Sequence, residues 1–116
     1  MNFNEYKEFF IENGYVHFKS AINDETLNKM NIQLLNWIDE SKNYKENYGS
    51  TIDGRPRFDL EIKTHSKQNP ALRRVSSPIE ISDTFLSFTR DNPALDLTAH
   101  IFSPNIKLLA TKINLK

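Results

Sequence analysis

Residues 8–25 read EFFIENGYVHFKSAINDE, and this stretch contains the boundaries of three secondary-structure elements. A helix carrying Phe10 should end before Gly14, because glycine tolerates the left-handed dihedrals that terminate helices. Apolar and polar side chains alternate over residues 15–19, which predicts a strand. Asn23 can accept hydrogen bonds from the free amides of a following first turn. The stretch therefore predicts a helix, a strand and a second helix in that order.

The rest of the chain shows shorter patterns separated by polar loops. The second helix should cover residues 24–40, where apolar residues form a broad helical face. The further predicted elements are a loop over 41–54, a short strand within 55–63, one helical turn at 70–74, a helix capped by Ser82 and running to 90, a helix beginning at Asn92-Pro93, and a strand over 106–116.

The predicted C-terminal strand has one face that changes character along its length. Side chains of a strand alternate between two faces, so the residues that share this face are Ile106, Leu108, Ala110, Lys112, Asn114 and Lys116. A face that turns from apolar to polar suits a barrel wall that runs from packed core to a ligand-holding mouth. It equally suits an edge strand whose end emerges into water.

Composition limits the function classes. The chain has 116 residues, enough for one small domain with a modest core. Its 15 basic and 15 acidic residues balance, which gives no support for a nucleic-acid or anionic-membrane partner. With no cysteine, the chain has no disulfide or thiolate metal site, and a cytoplasmic location is expected.

The two ends of the chain resemble the N-terminal region of the phytanoyl-CoA dioxygenase family. Phe10, Gly14, Tyr15 and Val16 fit the family turn F-x-x-x-G-[YF]-[VL] that precedes a long helix, and residues 103–116 (SPNIKLLATKINLK) are similar to the strand before its metal motif. The likeness covers both end blocks in order and is loose between about residues 43 and 74.

This resemblance implies an α+β fold in which N-terminal helices pack outside a double-stranded β-helix, the cupin-like jelly roll. It also implies an iron(II)- and 2-oxoglutarate-dependent dioxygenase that hydroxylates a small-molecule or acyl substrate. Lys116 matches the lysine of the family's N-x-K strand end, which contacts the 2-oxoglutarate carboxylate. Asn114 and Lys112 would support it from the same face.

The metal signature of that family, His-x-Asp/Glu, is missing from this sequence. The three histidines stand in His17-Phe18-Lys19, His65-Ser66-Lys67 and His100-Ile101-Phe102. The family places its motif shortly after the strand that here runs to Lys116. We therefore expect residues 1–116 to be one partial domain, cut off before the metal site, inactive alone and binding no iron or 2-oxoglutarate itself.

The other candidate residues have plainer interpretations. Asp96 and His100 have the i, i+4 spacing of a metal pair or an ion pair, and a surface pair is the expected outcome. His17 and His65 are expected to be a strand and a loop histidine rather than ligands. Four arginines could bind an anionic substrate, although basic loop residues usually only solvate a surface: Arg55, Arg57, Arg73 and Arg74.

Two functions stay open from the sequence. The first is the N-terminal fragment of the dioxygenase just described. The second is a complete, non-catalytic helical module that binds a protein partner through the apolar face of residues 24–40. The reading frame after Lys116 separates them, because the first requires it to continue into a His-x-Asp within a few tens of residues. Neither substrate nor oligomeric state can be predicted.

Overall fold

The computed structural model describes residues 1–115 and contains four helices, four strands and a short 3₁₀ helix. In chain order they are α1 (Phe3–Asn13), α2 (Asp24–Ser41), β1 (Tyr48–Ser50), β2 (Pro56–Leu60), β3 (Leu72–Ser76), the 3₁₀ helix (Pro78–Glu80), α3 (Asp83–Arg90), α4 (Pro93–Ile101) and β4 (Lys112–Asn114). The strands form one antiparallel sheet in the order β1-β2-β3-β4. The described chain therefore has the α+β character predicted from the sequence. No helix within it is both long and apolar enough to cross a bilayer.

The helix boundaries are set by local capping residues, as predicted. Gly14 follows α1 with a φ of 79°, and its N–H donates to the Phe10 carbonyl at 2.7 Å. The side-chain oxygen of Asn23 accepts from the Thr26 amide at 2.8 Å at the start of α2. Ser82 and Asn92 cap α3 and α4 in the same way. Asn23, Ser82 and Asn92 each satisfy a main-chain donor that the first helical turn leaves free, whereas Gly14 satisfies a carbonyl of the last turn.

The hydrophobic core lies between α2 and one face of the sheet. The register places Phe58 beside Val75 and Val75 beside Ile113, so these side chains form one cross-strand row. Trp37 from α2 covers the row, with its ring 6.1 Å from that of Phe58 in an edge arrangement. Val75 is completely buried at the centre of this cluster. The apolar stripe predicted for α2 therefore serves in large part as core.

The strand predicted over residues 15–19 is absent. This segment lies outside the sheet and packs its Phe18 ring 6.1 Å from Phe3 and 5.2 Å from Tyr6, both on α1. The predicted alternation is correct, since Val16 and Phe18 are half-buried and the polar residues between and after them are exposed. The prediction of a strand is wrong because no neighbouring strand lies there to pair with it.

The structure contains two strands, β1 and β3, that the sequence pattern does not predict. Residues 70–74 were expected to form a helical turn, but β3 occupies most of that range and pairs with β2 on one side and β4 on the other. The predicted loop over residues 41–54 contains β1, which pairs with β2. Pairing with the distant β4 stabilises β3, and a local pattern carries no signal of it. β1 forms a hairpin with β2 across residues 51–55, where Asp53-Gly54 is a turn signal that the sequence analysis did not use.

Within residues 1–115 the C-terminal strand is shorter than predicted: β4 covers Lys112–Asn114, and the Leu115 amide adds one hydrogen bond to the Arg73 carbonyl. Its partner ends at Ser76, and Ser77 turns the chain into the 3₁₀ helix with a left-handed φ of 49°. Residues 106–110 therefore have no strand beside them in the described chain. They stay irregular and exposed, and the Leu109 side chain is 94% exposed.

Candidate functional site

The sheet face opposite the core carries most of the charged residues of the strands. Side chains that flank a core residue along a strand project to the other face. The register accordingly places Asp59, Arg74 and Asn114 in one row and Ser76 beside Lys112 in the next. We call this surface the polar face; its residues are Arg57, Asp59, Arg74, Ser76, Lys112 and Asn114.

Arg57 is the anchor of the polar face and is only 5% exposed. Its Nη1 donates to the main-chain oxygens of Ser76 (3.0 Å) and Ser77 (2.8 Å). Its Nη2 donates to the Ser50 carbonyl at 3.0 Å. β1 approaches closely here because Gly49 faces Arg57, and a Cβ on that glycine would lie 2.9 Å from the arginine Cβ. The guanidinium thus ties β1, β2 and the end of β3 together.

The charge of Arg57 is balanced by Glu80 from the 3₁₀ helix. Nη2 of Arg57 lies 2.7 Å from Oε1 of Glu80, and the Glu80 side chain is 20% exposed. The same carboxylate oxygen accepts from the Ile52 amide at 3.0 Å. The Ile52 hydrogen bond first, and the Arg57 hydrogen bond second, hold the pKa of Glu80 below its ordinary value. The ion pair therefore fixes the loop after β1 against the end of β3.

Arg74 is the polar-face arginine that stays partly open to solvent. Its Nε donates to Oδ1 of Asn114 at 3.2 Å, and its Nη1 lies 3.6 Å from Oδ2 of Asp59. The Arg74 side chain is 39% exposed, whereas that of Asp59 is 12% exposed. Two neighbours from adjacent strands thus orient the guanidinium while leaving part of it accessible. A planar donor held in this way suits a carboxylate or another oxyanion.

The sequence-predicted residues of the 2-oxoglutarate pocket fall partly on this face. Lys112 and Asn114 share it, since both alternate with Ile113, which packs against the core. Lys112 is exposed, and Asn114 uses its side-chain oxygen to accept from Arg74. Lys116 lies outside the described residues. The structure therefore brings two of the three residues together with a fixed arginine.

The three histidines occupy separate places and do not form a metal site. His65 uses both ring nitrogens on main-chain groups of neighbouring segments. His100 places Nε2 2.8 Å from the Asn4 side-chain oxygen, so it contacts α1 rather than its sequence neighbour Asp96. His17 is exposed beside α1. Residues 1–115 contain no group of three or more histidine and carboxylate side chains placed to hold a metal. The described side chains thus do not fit the iron(II) site that the resemblance implies.

Sequence reasoning missed the structural roles of the arginines. Arg57 is buried and Arg74 lies on β3, whereas the sequence analysis offers for them only anion binding or a solvated surface. The alternation Arg57-Phe58-Asp59-Leu60 was the available signal, because it places two charged side chains opposite two core residues. Nothing local indicates that Arg57 is buried, since its partners lie 7 to 23 residues away.

Two other groups have shifted pKa values outside the polar face. The Thr51 hydroxyl first, and Arg55 second, hydrogen-bond to Asp53 and lower the pKa of that exposed carboxyl. Burial, reinforced by the nearby charge of Glu40, raises the pKa of Tyr48 well above its ordinary value. The Tyr48 hydroxyl has no hydrogen-bond partner among residues 1–115. Both shifts are caused by neighbouring groups of the fold itself.

Comparison with known proteins adds no relative: no protein-family model, no curated protein and no solved structure matches this chain. The chemistry that the described residues support is the binding and orientation of an anionic group by Arg74, with Asn114 and Lys112 beside it.

Proposed function

We propose that residues 1–116 form the N-terminal part of an iron(II)- and 2-oxoglutarate-dependent dioxygenase of the phytanoyl-CoA dioxygenase type. The proposed enzyme hydroxylates a small-molecule or acyl substrate in a jelly-roll fold, in the cytoplasm. Its iron ligands come from outside these residues, because the three histidines here do not fit the site. When bound, the metal and 2-oxoglutarate supply the oxidising chemistry, and this chain supplies part of the co-substrate pocket.

The observation that carries the proposal is the two-sided character of the sheet. Trp37 and its neighbours on α2 cover the apolar face, as the helices of the proposed oxygenase would cover the outside of its barrel. Asn114 and Lys112 stand on the opposite, polar face, where the resemblance needs the co-substrate pocket. The cationic Arg74 on the same face adds a donor for an anionic ligand. Residues 1–115 form a single four-stranded sheet, and the jelly-roll barrel around its polar face is part of the proposal.

The alternative, a helical module that binds a partner through α2, has weaker support. The residues predicted to form the binding face include Trp37, Leu34 and Ile38, and these pack against the sheet. The exposed apolar residues of α2 are Leu27, Ile32 and Leu35. Most of the predicted binding face is therefore already occupied within the chain.

The proposal is tested first by the reading frame that follows Lys116. We expect it to continue into a His-x-Asp or His-x-Glu within a few tens of residues. A stop codon directly after Lys116 would contradict the proposal and favour the helical module.

The second test replaces Lys116 with methionine in the longer protein, which keeps much of the stem and removes the charge. We expect the Michaelis constant for 2-oxoglutarate to rise roughly tenfold, equivalent to about 1.4 kcal/mol of lost charge-assisted hydrogen bonding. The matched control is Lys107→Met, which removes a lysine from the exposed segment before β4. Succinate formation measures both variants. An unchanged constant in Lys116→Met, or an equal rise in the control, would place Lys116 outside the pocket.

A further inference from the structure

A cleft of about 450 Å³ lies beside the C-terminal end of α2 and includes His65 in its lining. Its walls are the turn that follows α2 and the loop between β2 and β3. We call it the lysine cleft; its lining residues are Lys42, Asn43, Tyr44, Lys45, His65, Ser66 and Lys67. Two segments, residues 42–45 and 65–67, therefore face each other across it.

The lysine cleft concentrates positive charge in a chain whose net charge is zero. Three of its seven lining residues are lysines, and none is an aspartate or glutamate. Lys42 lies 3.0 Å from Asp39, a pair that is largely exposed and hence weak. Lys45 and Lys67 have no carboxylate within ion-pair distance among residues 1–115. By contrast, the cavity that contains Lys29 also contains two aspartates. The lysine cleft is thus locally cationic.

His65 holds the two walls of the cleft in place. Its Nδ1 accepts from the Ala71 amide at 2.8 Å, so the neutral ring carries its proton on Nε2. That Nε2 lies 3.1 Å from the Ser41 carbonyl and 2.9 Å from the Tyr44 carbonyl and donates to them. The ring therefore joins the β2–β3 loop to the carbonyl oxygens of Ser41, the last residue of α2, and of Tyr44 in the turn that follows. The lysine stems project from walls whose spacing is fixed before any ligand arrives.

Tyr44 adds a flat aromatic wall to the cleft. One of its faces stacks on Tyr48, with ring centroids 3.6 Å apart and planes 5° apart, and the residue is still 40% exposed. The cleft thus combines lysine ammonium groups with an aromatic surface that is packed on Tyr48.

We propose that the lysine cleft binds the phosphoryl group of a small ligand in solution. Lysine ammonium groups act as point charges, and a phosphoryl oxyanion carries more charge than a single carboxylate with which to satisfy two or three of them. The small volume of the cleft and the overall neutrality of the chain favour a compact anion over a long polyanion. This proposal does not depend on the dioxygenase function.

The test is a titration of the chain with inorganic pyrophosphate at low ionic strength, followed by amide chemical shifts. We expect saturable shifts of Lys45, Ser66 and Lys67 with one dissociation constant in the submillimolar range. The double variant Lys45→Gln/Lys67→Gln should bind at least tenfold more weakly. The matched control Lys19→Gln/Lys107→Gln has the same net charge change on exposed residues elsewhere, and it should bind within twofold of the parent chain.

Three outcomes would overturn the proposal. The first is the absence of saturable shifts in the cleft, and the second is equal weakening in the control, which would indicate only general charge attraction. The third comes from sedimentation with phosphatidylcholine vesicles containing phosphatidic acid. The chain should stay in the supernatant, and sedimentation that Lys45→Gln/Lys67→Gln abolishes would assign the cleft to a lipid headgroup rather than a soluble ligand.

Discussion

Replacing Arg57 with methionine should destabilise the fold strongly, although the side chain lies on the sheet face away from the core. Methionine keeps the length of the stem but removes every donor. Three hydrogen bonds to the main-chain oxygens of Ser50, Ser76 and Ser77 would be lost. At about 1 kcal/mol each, they account for about 3 kcal/mol of unfolding free energy.

Equilibrium urea unfolding measures the effect, with the fluorescence of Trp37 as the probe. This is the only tryptophan of the chain, and it is 5% exposed in the folded state. For a urea m-value of about 1–3 kcal/mol/M, the unfolding midpoint should fall by roughly 1–3 M. The matched control is Arg55→Met, because Arg55 makes its ion pair with Asp53 at the surface. Its midpoint should stay unchanged within error.

A loss of less than about 1 kcal/mol in Arg57→Met would refute this reasoning, since it would mean that the three carbonyl oxygens find other donors at little cost. If Arg57→Met has no folded state in the absence of urea, Arg57→Lys supplies the measurement. Lysine keeps the charge opposite Glu80 but lacks the planar fork that reaches three carbonyl groups. It should therefore give an intermediate midpoint, and a midpoint equal to that of the parent chain would contradict the role assigned to the fork.

The remaining predictions concern the loop contacts of His65, the acid response, metal binding and the exposed apolar segment. His65→Ala removes the hydrogen bonds between the β2–β3 loop and the end of α2, and should lower the unfolding free energy by about 1–3 kcal/mol, whereas His17→Ala should not. The pKa of Glu80 is lower in the folded than in the unfolded chain, so the ionised carboxylate stabilises the fold fully above the unfolded-state pKa of about 4.3, and this stabilisation is lost as the pH falls through the folded-state pKa. In urea unfolding at a series of pH values, Glu80→Gln should therefore lose less unfolding free energy on acidification than the parent chain does. The same loss in both proteins would argue against the ion pair. Anaerobic calorimetry should detect no stoichiometric iron(II) site of micromolar affinity in this chain, and such a site would require a ligand set other than His-x-Asp. The isolated chain should self-associate in sedimentation velocity, and Leu109→Lys should reduce this; a monomeric parent chain would contradict the expectation.

Helix boundaries were predictable because their signals are local. Gly14, Asn23, Ser82 and Asn92 each act within one turn of the helix they bound, so a few consecutive residues contain the whole interaction. Asn92 illustrates this, since its side-chain oxygen accepts from the amide only three residues later. Such contacts can be inferred from sequence with no knowledge of the rest of the fold.

Strands were harder to predict because their partners lie far along the chain. β3 contains two consecutive arginines, so its sequence does not predict a strand. It is nevertheless a central strand, because β2 and β4 pair with it on either side. The sequence pattern of residues 15–19 and 106–110 predicts strands, but neither segment has a partner strand in the described chain. The burial of Arg57 depends likewise on Gly49, Ser77 and Glu80, which meet only after the sheet has formed.

The two candidate functions differ chiefly in what they require of β4. The described chain is more extended than a compact domain of the same length, since its radius of gyration is 17.0 Å and the expected value is about 13 Å. Its apolar contacts fall into the sheet core and a second cluster between α1 and α4, and Leu109 projects from the segment before β4 into solvent. A strand edge with apolar residues beside it invites pairing by another strand. In the proposed dioxygenase, further strands would pair at β4 and enclose the polar face with Asn114 and Lys112. The exposed edge and the polar face are therefore the two features of residues 1–115 from which the dioxygenase is proposed.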